Sequence, residues 1–284
     1  MGVFRSLKRR AQLAATYFEW PPRPAPRHTL PGQLVVSLTS HPPRFRWLAV
    51  CLRRLLSQDV RPDAVVLWLA RGDAAHLPSN VTELQKHGLT IRECADVKSY
   101  NKLIPALEAY PDAFIVTVDD DMLYSRGLLR RFVEEYNRPD EILCQYARRI
   151  ALSGNRIAPY DDWLPIEGSA TGPDVFPEGI GGVMYPPGTL TPEVSNAEAF
   201  MRLCPHADDV WFFWWARPEV RRRAIDADKG VLMPSRGIAS LWRGVNRAGG
   251  NDRQVAAVIE AYGMPNLAPP AAASPHPDPL TARV

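Results

Sequence analysis

The hydrophobic positions of this chain fall into short continuous runs, and the run at 114–118 is the clearest of them. It is rich in β-branched residues and almost wholly apolar, which is typical of a strand buried on both faces. Such strands belong to parallel sheets that carry helices on each side. The run therefore predicts a central strand of an α/β domain.

Strand-like and helix-like runs alternate along the chain before this point. Residues 45–57, for example, place apolar side chains at helical spacing, with Arg53 and Arg54 outside that face. The pattern predicts strands at 34–38, 64–69 and 90–92 and helices at 45–57, 79–87 and 101–110. This alternation is typical of βαβ units with right-handed crossovers. We therefore expect an α/β fold.

The two ends of the chain differ in composition from the middle. In residues 1–20, basic side chains alternate with apolar and aromatic ones, which suits either an anionic membrane surface or an ordinary N-terminal helix docked on the domain. Several prolines then form a stiff linker. We expect a basic amphipathic segment and Pro-rich linker at 1–29, one domain at 30–267, and a disordered Ala/Pro-rich tail at 268–284.

Composition narrows the function classes. The 284 residues carry a net charge of +3 and no stripe of basic residues interleaved with stacking aromatics, which argues against nucleic acid. The four cysteines include no CxxC pair, so we expect no zinc ribbon or disulfide scaffold, but a reducing cytoplasm. No apolar stretch approaches the ~20 residues that span a bilayer. We expect a cytoplasmic protein, with residues 1–20 as the candidate for peripheral contact with the inner face of the membrane.

Three consecutive acids, Asp119, Asp120 and Asp121, directly follow the 114–118 run. Ligands of open α/β sheets bind just beyond the carboxyl ends of the strands, where these acids fall. Clustered carboxylates repel one another unless a cation compensates them, and hard oxygen ligands suit Mg²⁺ or Mn²⁺. The alternative is an acidic turn or a helix cap. Neither a GxGxxG nor a GxxxxGKS/T loop is present, which excludes the common phosphate loops.

Several segments, in this order, resemble GT-A glycosyltransferases, which transfer sugars from nucleotide donors. They are the first-strand loop at 37–40, a segment at 98–107, the acidic DXD motif at 116–121 and two later segments at 181–188 and 207–212. Between residues 35 and 215 the chain looks most like a family-2-like bacterial branch that assembles surface polysaccharides, with partial likeness to exostosin-type transferases. The resemblance implies a GT-A half-Rossmann fold, with a mixed, mostly parallel central sheet flanked by helices, in a single domain with an N-terminal helix.

The resemblance also implies roles for individual residues. Asp121 would ligate the Mg²⁺ or Mn²⁺ that bridges the two phosphates of the donor. Asp119 is the second residue implied at the metal, where it would contact a metal-bound water or the ribose. These two acids point to the same side of an extended segment. Lys98 and Lys102 share one side of a helix if the helix extends that far back. The implied donor-binding set is Thr39, Ser40, Arg44, Lys98, Asn101, Lys102, Asp119, Asp120, Gly181 and Gly182.

Asp208 and Asp209 precede an aromatic stretch that predicts a helix, whose N-terminus favours acids by itself. In the GT-A pattern an acid at this place deprotonates the acceptor hydroxyl, so Asp209 is the candidate base and Asp208 the second choice. Many such enzymes add a late histidine ligand, but the only histidine after His206 is His276, in the predicted tail. Water, or one of Asn246, Asn251 and Asp252, would take the place of this histidine at the metal. Arg236 and Arg243 are late candidates for contact with the diphosphate.

Two other functions stay open. A nucleotidyltransferase would use a similar sheet, but it usually has a glycine-rich basic loop where this chain has residues 39–44. A catalytically inactive scaffold that binds sugar nucleotides at the membrane is the non-enzyme alternative, and the five acids argue against it. The sequence favours a hexosyltransferase-like enzyme that uses a nucleotide sugar and a surface glycan or lipid-linked acceptor. It specifies neither the sugar nor the stereochemical outcome.

Overall fold

The computed structural model describes residues 16, 20–21, 23–226, 230–232 and 249–267. The predicted N-terminal helix therefore lies largely outside the described residues, as do the predicted tail and the late candidates Arg236, Arg243 and Asn246.

The chain alternates strands and helices as far as β4 and then adds shorter strands. The strands are β1 Leu34–Thr39, β2 Ala64–Ala70, β3 Leu89–Cys94, β4 Phe114–Thr117, β5 Met122–Leu123, β6 Glu141–Cys144, β7 Ala147–Arg149, β8 Leu152–Ser153, β9 Arg156–Ile157, β10 Leu164–Pro165, β11 Ala170–Thr171, β12 Val175–Pro177, β13 Val183–Tyr185, β14 Arg221–Ala224 and β15 Val231–Leu232. The α-helices are α1 Phe45–Leu56, α2 Ser79–Thr82, α3 Ile104–Ala109, α4 Leu128–Glu135, α5 Ala197–Leu203, α6 Asp208–Trp214 and α7 Asn251–Tyr262.

Eight strands form the central sheet, in the order β11-β14-β6-β13-β4-β1-β2-β3. Pairing is parallel from β3 through β2 and β1 to β4 and again between β6 and β14, whereas β13 and β11 run antiparallel to their neighbours. Val36 of β1 pairs with Val65 on one side and Val116 on the other. The sheet is thus mixed and mostly parallel, which confirms the predicted α/β fold class.

Side chains of the central strands are buried on both faces, as the apolar runs predict. Val36 belongs to a core layer that includes Leu48 of α1 and Leu129 of α4. Val35, its neighbour in β1, belongs to the layer on the other face, which includes residues of α3, α6 and α7 such as Trp211. Adjacent residues of a strand point to opposite faces. Helices therefore flank both faces, and the edge of the sheet is left to form a site.

Two predicted helices differ from the observed ones. The segment predicted at 101–110 begins as a 3-10 helix at Lys98–Lys102, and only Ile104–Ala109 is α-helical. The segment predicted at 79–87 is a single α-helical turn followed by a 3-10 helix at Glu83–His87. In a 3-10 helix of three residues per turn, positions four apart do not share a face. The expectation that Lys98 and Lys102 lie on one side of a helix is therefore wrong.

The described part of the N-terminal segment contacts the domain. Thr16 is buried, and its hydroxyl accepts a 2.8 Å hydrogen bond from Arg54. The ring of Trp20 meets His87 edge-on at 4.8 Å, and Arg53 lies over the same ring. Docking on the domain was one of the two alternatives for this segment, and these contacts favour it. Among the described residues, no helix has the length and apolar character needed to cross a membrane.

Candidate functional site

The acidic triplet begins two residues after β4, at the edge of the sheet where the parallel strands end. The main-chain N–H of Val118 donates to the Ser37 carbonyl at 3.1 Å, which prolongs the pairing of β4 with β1. The N–H of Asp119 donates to the Tyr124 hydroxyl at 2.8 Å, and that hydroxyl donates to the Ile180 carbonyl at 3.1 Å. The loop that carries the acids is therefore tied to the sheet and to the glycine segment.

Asp120 is the innermost acid of the triplet. The Ser40 hydroxyl donates to one of its oxygens at 2.6 Å, and the Arg44 guanidinium lies 3.1 Å from the other. Burial raises the pKa of Asp120 to about 6, although Arg44 and Ser40 both oppose that shift. Both oxygens of Asp120 thus contact residues that follow β1, so this acid joins the loops after β1 and β4.

Asp119 and Asp121 are the outer acids, with 29% and 24% of their side chains exposed. Asp121 forms an ion pair with the second nitrogen of Arg44, and Asp119 accepts a 3.0 Å hydrogen bond from Lys102. Burial, and after it the charge of Asp119, raises the pKa of Asp121 to about 6, against the influence of Arg44. The two acids predicted to hold a metal are therefore the accessible members of the triplet.

Lys102 links the triplet to the later acid pair. Its ammonium is 3.0 Å from Asp119 and 2.9 Å from Asp208, with 6% of the side chain exposed. Burial opposes the charge of this ammonium, but Asp119, Asp208 and Asp209 outweigh it and raise the pKa of Lys102 well above its usual value. The Ser37 hydroxyl donates to the Lys102 carbonyl at 2.6 Å and fixes the main chain there. Lys102 is thus a permanently charged bridge between two groups of carboxylates.

Asp208 and Asp209 occupy the first turn of α6, where the helix dipole favours negative charge. Capping does not account for their contacts, because Asp208 pairs with Lys102 and Asp209 accepts a 2.9 Å hydrogen bond from the Gly179 N–H. Burial, and after it Asp208, raises the pKa of Asp209 to about 7, although Lys102 opposes that shift. A carboxyl that titrates near neutral pH is suited to accept a proton.

The glycine segment lies against these groups. A methyl group at Gly179 would come within 2.7 Å of both Asp209 and Lys102, and one at Gly181 would come within 2.7 Å of the main chain of Tyr146. Gly182 has a φ of +87°. Of the predicted donor-binding glycines, Gly181 therefore has no space for a side chain, and Gly182 has a main-chain conformation that favours glycine. Gly179 is the one in contact with the acid pair, and its place in the glycine cluster is the sequence signal that marks it.

The other predicted donor-binding residues are spread around the same edge. The Thr39 hydroxyl donates to the Trp68 carbonyl at 2.9 Å. Asn101 is buried, and its side-chain oxygen has no hydrogen-bond partner within the described ranges. Lys98 is exposed, with a φ of 60°, at the start of the 3-10 helix. The structure thus brings Asn101 and Lys102 into the protein interior and leaves Lys98 at the surface.

The late candidates for a third metal ligand have other contacts. Asp252 accepts a 2.7 Å hydrogen bond from the main chain of Tyr160, while Asn251 is buried at the start of α7. His206 donates through its main chain to Gln254 at 2.8 Å, and burial followed by Lys98 lowers the pKa of its imidazole. None of these contacts joins them to the acidic triplet.

The donor set can be tested against a divalent cation. Within the described ranges, no three His, Cys, Asp or Glu side chains are grouped so as to hold a metal ion by themselves. Mg²⁺ and Mn²⁺ sites in phosphate chemistry need only one or two carboxylates, completed by phosphate and water, and Asp119 and Asp121 supply these. Five carboxyl groups also meet two cations in this cluster, Arg44 and Lys102, so a divalent cation would offset excess negative charge. The residues fit such an ion.

No protein-family model matches this sequence, and no curated protein matches it. Among solved structures it is similar to the mannosyltransferase PcManGT from Pyrobaculum calidifontis in complex with GDP-Man and Mn²⁺, at 18% identity and a TM-score of 0.48, over 91% of this chain and 74% of that one. It is also similar to the inositol-1-phosphate CTP transferase from T. maritima, at 13% identity and a TM-score of 0.34, over 57% of this chain and 71% of that one.

A third similar structure is the bifunctional IspDF from Campylobacter jejuni, at 15% identity and a TM-score of 0.30, over 60% of this chain and 47% of that one. At these identities and TM-scores the similarities carry no functional argument. The case for a function rests on the site.

Proposed function

We propose that this chain is a metal-dependent glycosyltransferase of the GT-A type, which moves a sugar from a nucleotide sugar to a surface glycan or a lipid-linked acceptor. The observation that carries the proposal is the double contact of the buried Lys102 ammonium with Asp119 and Asp208. It joins an acidic triplet suited to a metal and a diphosphate to an acid pair suited to proton removal. A donor half and an acceptor half thus meet at one edge of the sheet.

In this proposal Asp121 and Asp119 hold Mg²⁺ or Mn²⁺. When bound, the cation neutralises the negative charge that develops on the departing nucleoside diphosphate. Arg44 and Lys102, which contact the same acids, supply positive charge at the phosphates. Asp120 keeps the two loops together through Ser40 and Arg44.

The remaining residues bind the two substrates. Thr39, Ser40, Asn101 and the exposed Lys98 line the nucleoside side of the site. Thr39 and Ser40 lie at the carboxyl end of β1, and Lys98 and Asn101 lie in the 3-10 helix before α3. The donor sugar and the acceptor lie beside the glycines at 181–182.

Asp209 accepts the proton of the attacking hydroxyl. The Gly179 N–H holds one of its oxygens, so the carboxylate has a defined orientation. A sugar hydroxyl is a poor nucleophile while it is protonated, and a base with a pKa near 7 removes that proton at neutral pH. Asp208 neutralises one side of Lys102 and is the second candidate.

The proposal is tested by binding and turnover of the wild-type chain, Asp121→Asn and Asp112→Asn. Asp112 is an exposed acid close in sequence to the triplet and serves as the matched control. We expect Mn²⁺-dependent binding of one nucleotide-sugar family, measured by calorimetry, to weaken at least about tenfold in Asp121→Asn because one ligand is lost, and to be unchanged in Asp112→Asn.

Product analysis separates the alternatives. A glycosyltransferase releases a nucleoside diphosphate, whereas a nucleotidyltransferase releases pyrophosphate from a nucleoside triphosphate. Binding without release of either product, with a full panel of acceptors, would favour an inactive scaffold. Equal metal affinity in wild type and Asp121→Asn would contradict the metal site itself.

A further inference from the structure

A small cavity borders Asp209 in the core between α6 and the strands β6, β13 and β14. Its polar lining consists of Asp209, Tyr185 and Arg222, and the rest is apolar, from Ile142, Pro177, Phe212 and Phe213. It has room for about one water molecule. A polar cavity of this size can hold an ordered water that hydrogen-bonds to its walls.

Arg222 is an unusual residue to find at this place. It is 7% exposed, and its only described hydrogen bond is a 3.0 Å contact from Nη2 to the Phe213 carbonyl. The guanidinium lies 4.1 Å from the centroid of the Phe213 ring. In the described part of the chain its buried Nε has no partner and no acid pairs with it. Burial lowers the pKa of Arg222 to about 10, so it stays charged at neutral pH.

A buried cation without a paired acid is costly, and native structures rarely leave a buried donor without an acceptor. The stacked Phe213 ring offsets part of that cost. The buried Nε is a donor that needs an acceptor, and Arg222 borders the cavity that Asp209 also borders. A water in this cavity can accept from Nε and pass a hydrogen bond on to a carboxylate.

Tyr185 is the third polar wall. It is buried in β13, three residues after Gly182. Burial, and after it the charge of Asp209, raises the pKa of Tyr185 well above its usual value, so its hydroxyl stays protonated and can donate. This hydroxyl belongs to a residue that lines the same cavity as Asp209 and Arg222.

We propose that one water molecule in this cavity accepts hydrogen bonds from Arg222 and Tyr185 and donates one to Asp209, which makes Arg222 and Tyr185 positioning residues for the base. The inference rests on the proposed function, in which Asp209 takes the acceptor proton. A water has two lone pairs and two protons, so both donors and the carboxylate are satisfied together. With the Gly179 N–H, this water would fix the Asp209 carboxylate from a second direction.

The charges around Asp209 show what Arg222 and Tyr185 add. Lys102 faces it from the segment before α3, Asp208 from its own helix and Asp119 from the loop after β4. Two of these three are acids, so they favour a protonated Asp209. The water chain brings a hydrogen bond and, behind it, the charge of Arg222, both of which favour the carboxylate.

The variants that test this are Tyr185→Phe, Arg222→Met and Arg222→Lys, with Tyr136→Phe and Arg221→Met as matched controls that do not border the cavity. Folding is checked for each by circular dichroism and thermal melting. We expect Tyr185→Phe and Arg222→Met to lower kcat for nucleoside diphosphate release about tenfold, with the donor KM unchanged, because the base and not the donor site is affected. Arg222→Lys keeps the charge and should recover most of that loss.

A second readout does not depend on turnover. The carbon-13 signal of the Asp209 carboxyl, identified by its absence in Asp209→Asn, gives the protonation midpoint in the ligand-free protein. We expect that midpoint, and the acid limb of the pH–rate profile, to rise about one pH unit in Arg222→Met and Tyr185→Phe. Unchanged midpoints in well-folded variants would overturn the inference, as would a crystal structure with no water at this place.

The two proposals fail in different ways. Full activity of Asp209→Asn, or no turnover of any nucleotide sugar by wild type, would refute the proposed function. In either case, titration of the Asp209 carboxyl in wild type and the cavity variants would still test the proposed water. Suppose instead that Asp209→Asn loses activity, while the cavity variants keep the wild-type kcat and the wild-type protonation midpoint of Asp209. That result would refute the proposed water and leave the proposed function intact.

Discussion

At the scale of single residues, Lys102 holds the candidate site together. Its ammonium is almost fully buried and compensates Asp119 and Asp208 at once. Removing the cation leaves two carboxylates close to each other without a partner. Breaking a buried ion pair in this way is strongly destabilising, because the buried Asp208 carboxylate loses its compensating charge.

We therefore expect Lys102→Met to lower the free energy of unfolding by about 3 kcal/mol, measured by urea denaturation at pH 7.5. Methionine has a similar length, so the loss is mainly electrostatic. Donor binding should be lost as well, because the phosphates lose a cation.

The matched control is Lys86→Met, the same substitution at an exposed lysine in the 3-10 helix before β3. It should leave the unfolding midpoint almost unchanged. If Lys102→Met unfolded at the same urea concentration as Lys86→Met, the ammonium would not be the compensating charge that we infer.

The sequence predicts which residues gather at the site better than it predicts their individual contacts. The positions of Asp119, Asp121 and Lys102 follow from the end of a buried strand and the segment before it. The inward turn of Asp120 does not, because it depends on Ser40 and Arg44, which lie about eighty residues earlier in the chain. Distant partners of this kind leave no local pattern.

At the scale of elements, the 3-10 turn Gly179–Gly181 connects β12 to β13 and lies directly against the acids. A methyl group at Gly181 would lie 2.2 Å from the ring of Tyr146 and 2.7 Å from its main-chain nitrogen. The main chain cannot rotate away as a side chain can. The turn itself would have to shift.

We expect Gly181→Ala to destabilise the protein by about 1–3 kcal/mol through overpacking, measured by chemical denaturation, and to weaken donor turnover because the turn carries the Gly179 contact to Asp209. Gly127→Ala is the control, since there the nearest atom belongs to the flexible end of Arg130. Equal stability of the two variants would mean that the turn moves freely and does not position the base.

The strands that the sequence predicts are those with continuous apolar runs. The predictions at 34–38, 64–69, 90–92 and 114–118 each fall on β1 to β4, and the helix at 45–57 matches α1 within one residue. The shorter strands after β4 were not predicted. Their pairings are mostly antiparallel and join distant segments, and burial of two or three residues gives no period to detect.

The 3-10 helix at Lys98–Lys102 was missed for a related reason. Pro105 is compatible with the start of α3, and the helical pattern continues backwards in the sequence without a break. Tyr100, in the middle of this 3-10 helix, is buried, and its hydroxyl donates to the Cys204 carbonyl at 2.5 Å. The two residues are 104 positions apart, so the local sequence does not predict this contact.

At the scale of the whole molecule, the fold gathers buried acids at one end of its sheet, and this links stability to pH. Burial raises the pKa of Asp120 and Asp121 to about 6 and that of Asp209 to about 7, from an ordinary value of 3.8. Between the ordinary and the raised values, the folded state binds more protons than the unfolded state. The free energy of unfolding therefore falls as pH rises through this window.

Comparison of wild type with Asp209→Asn isolates one of these groups, because all other titrations are shared. Asparagine does not titrate, so the variant should lose less stability between pH 5 and pH 8. We expect its fall in Tm over that range to be smaller than that of wild type by about 3 °C in metal-free buffer, measured by calorimetry.

Saturating Mn²⁺ should also reduce the fall in the Tm of wild type between pH 5 and pH 8. A cation at Asp119 and Asp121 offsets the negative charge that accumulates as the acids ionise. The ion binds the deprotonated acids, so its stabilisation should be larger at pH 8 than at pH 5. Mn²⁺ that raised Tm equally at both pH values would bind elsewhere.

Parallel Tm curves for wild type and Asp209→Asn without metal would show that Asp209 titrates near its ordinary value. It would then be ionised throughout the neutral range and would have little power to take a proton from a sugar hydroxyl.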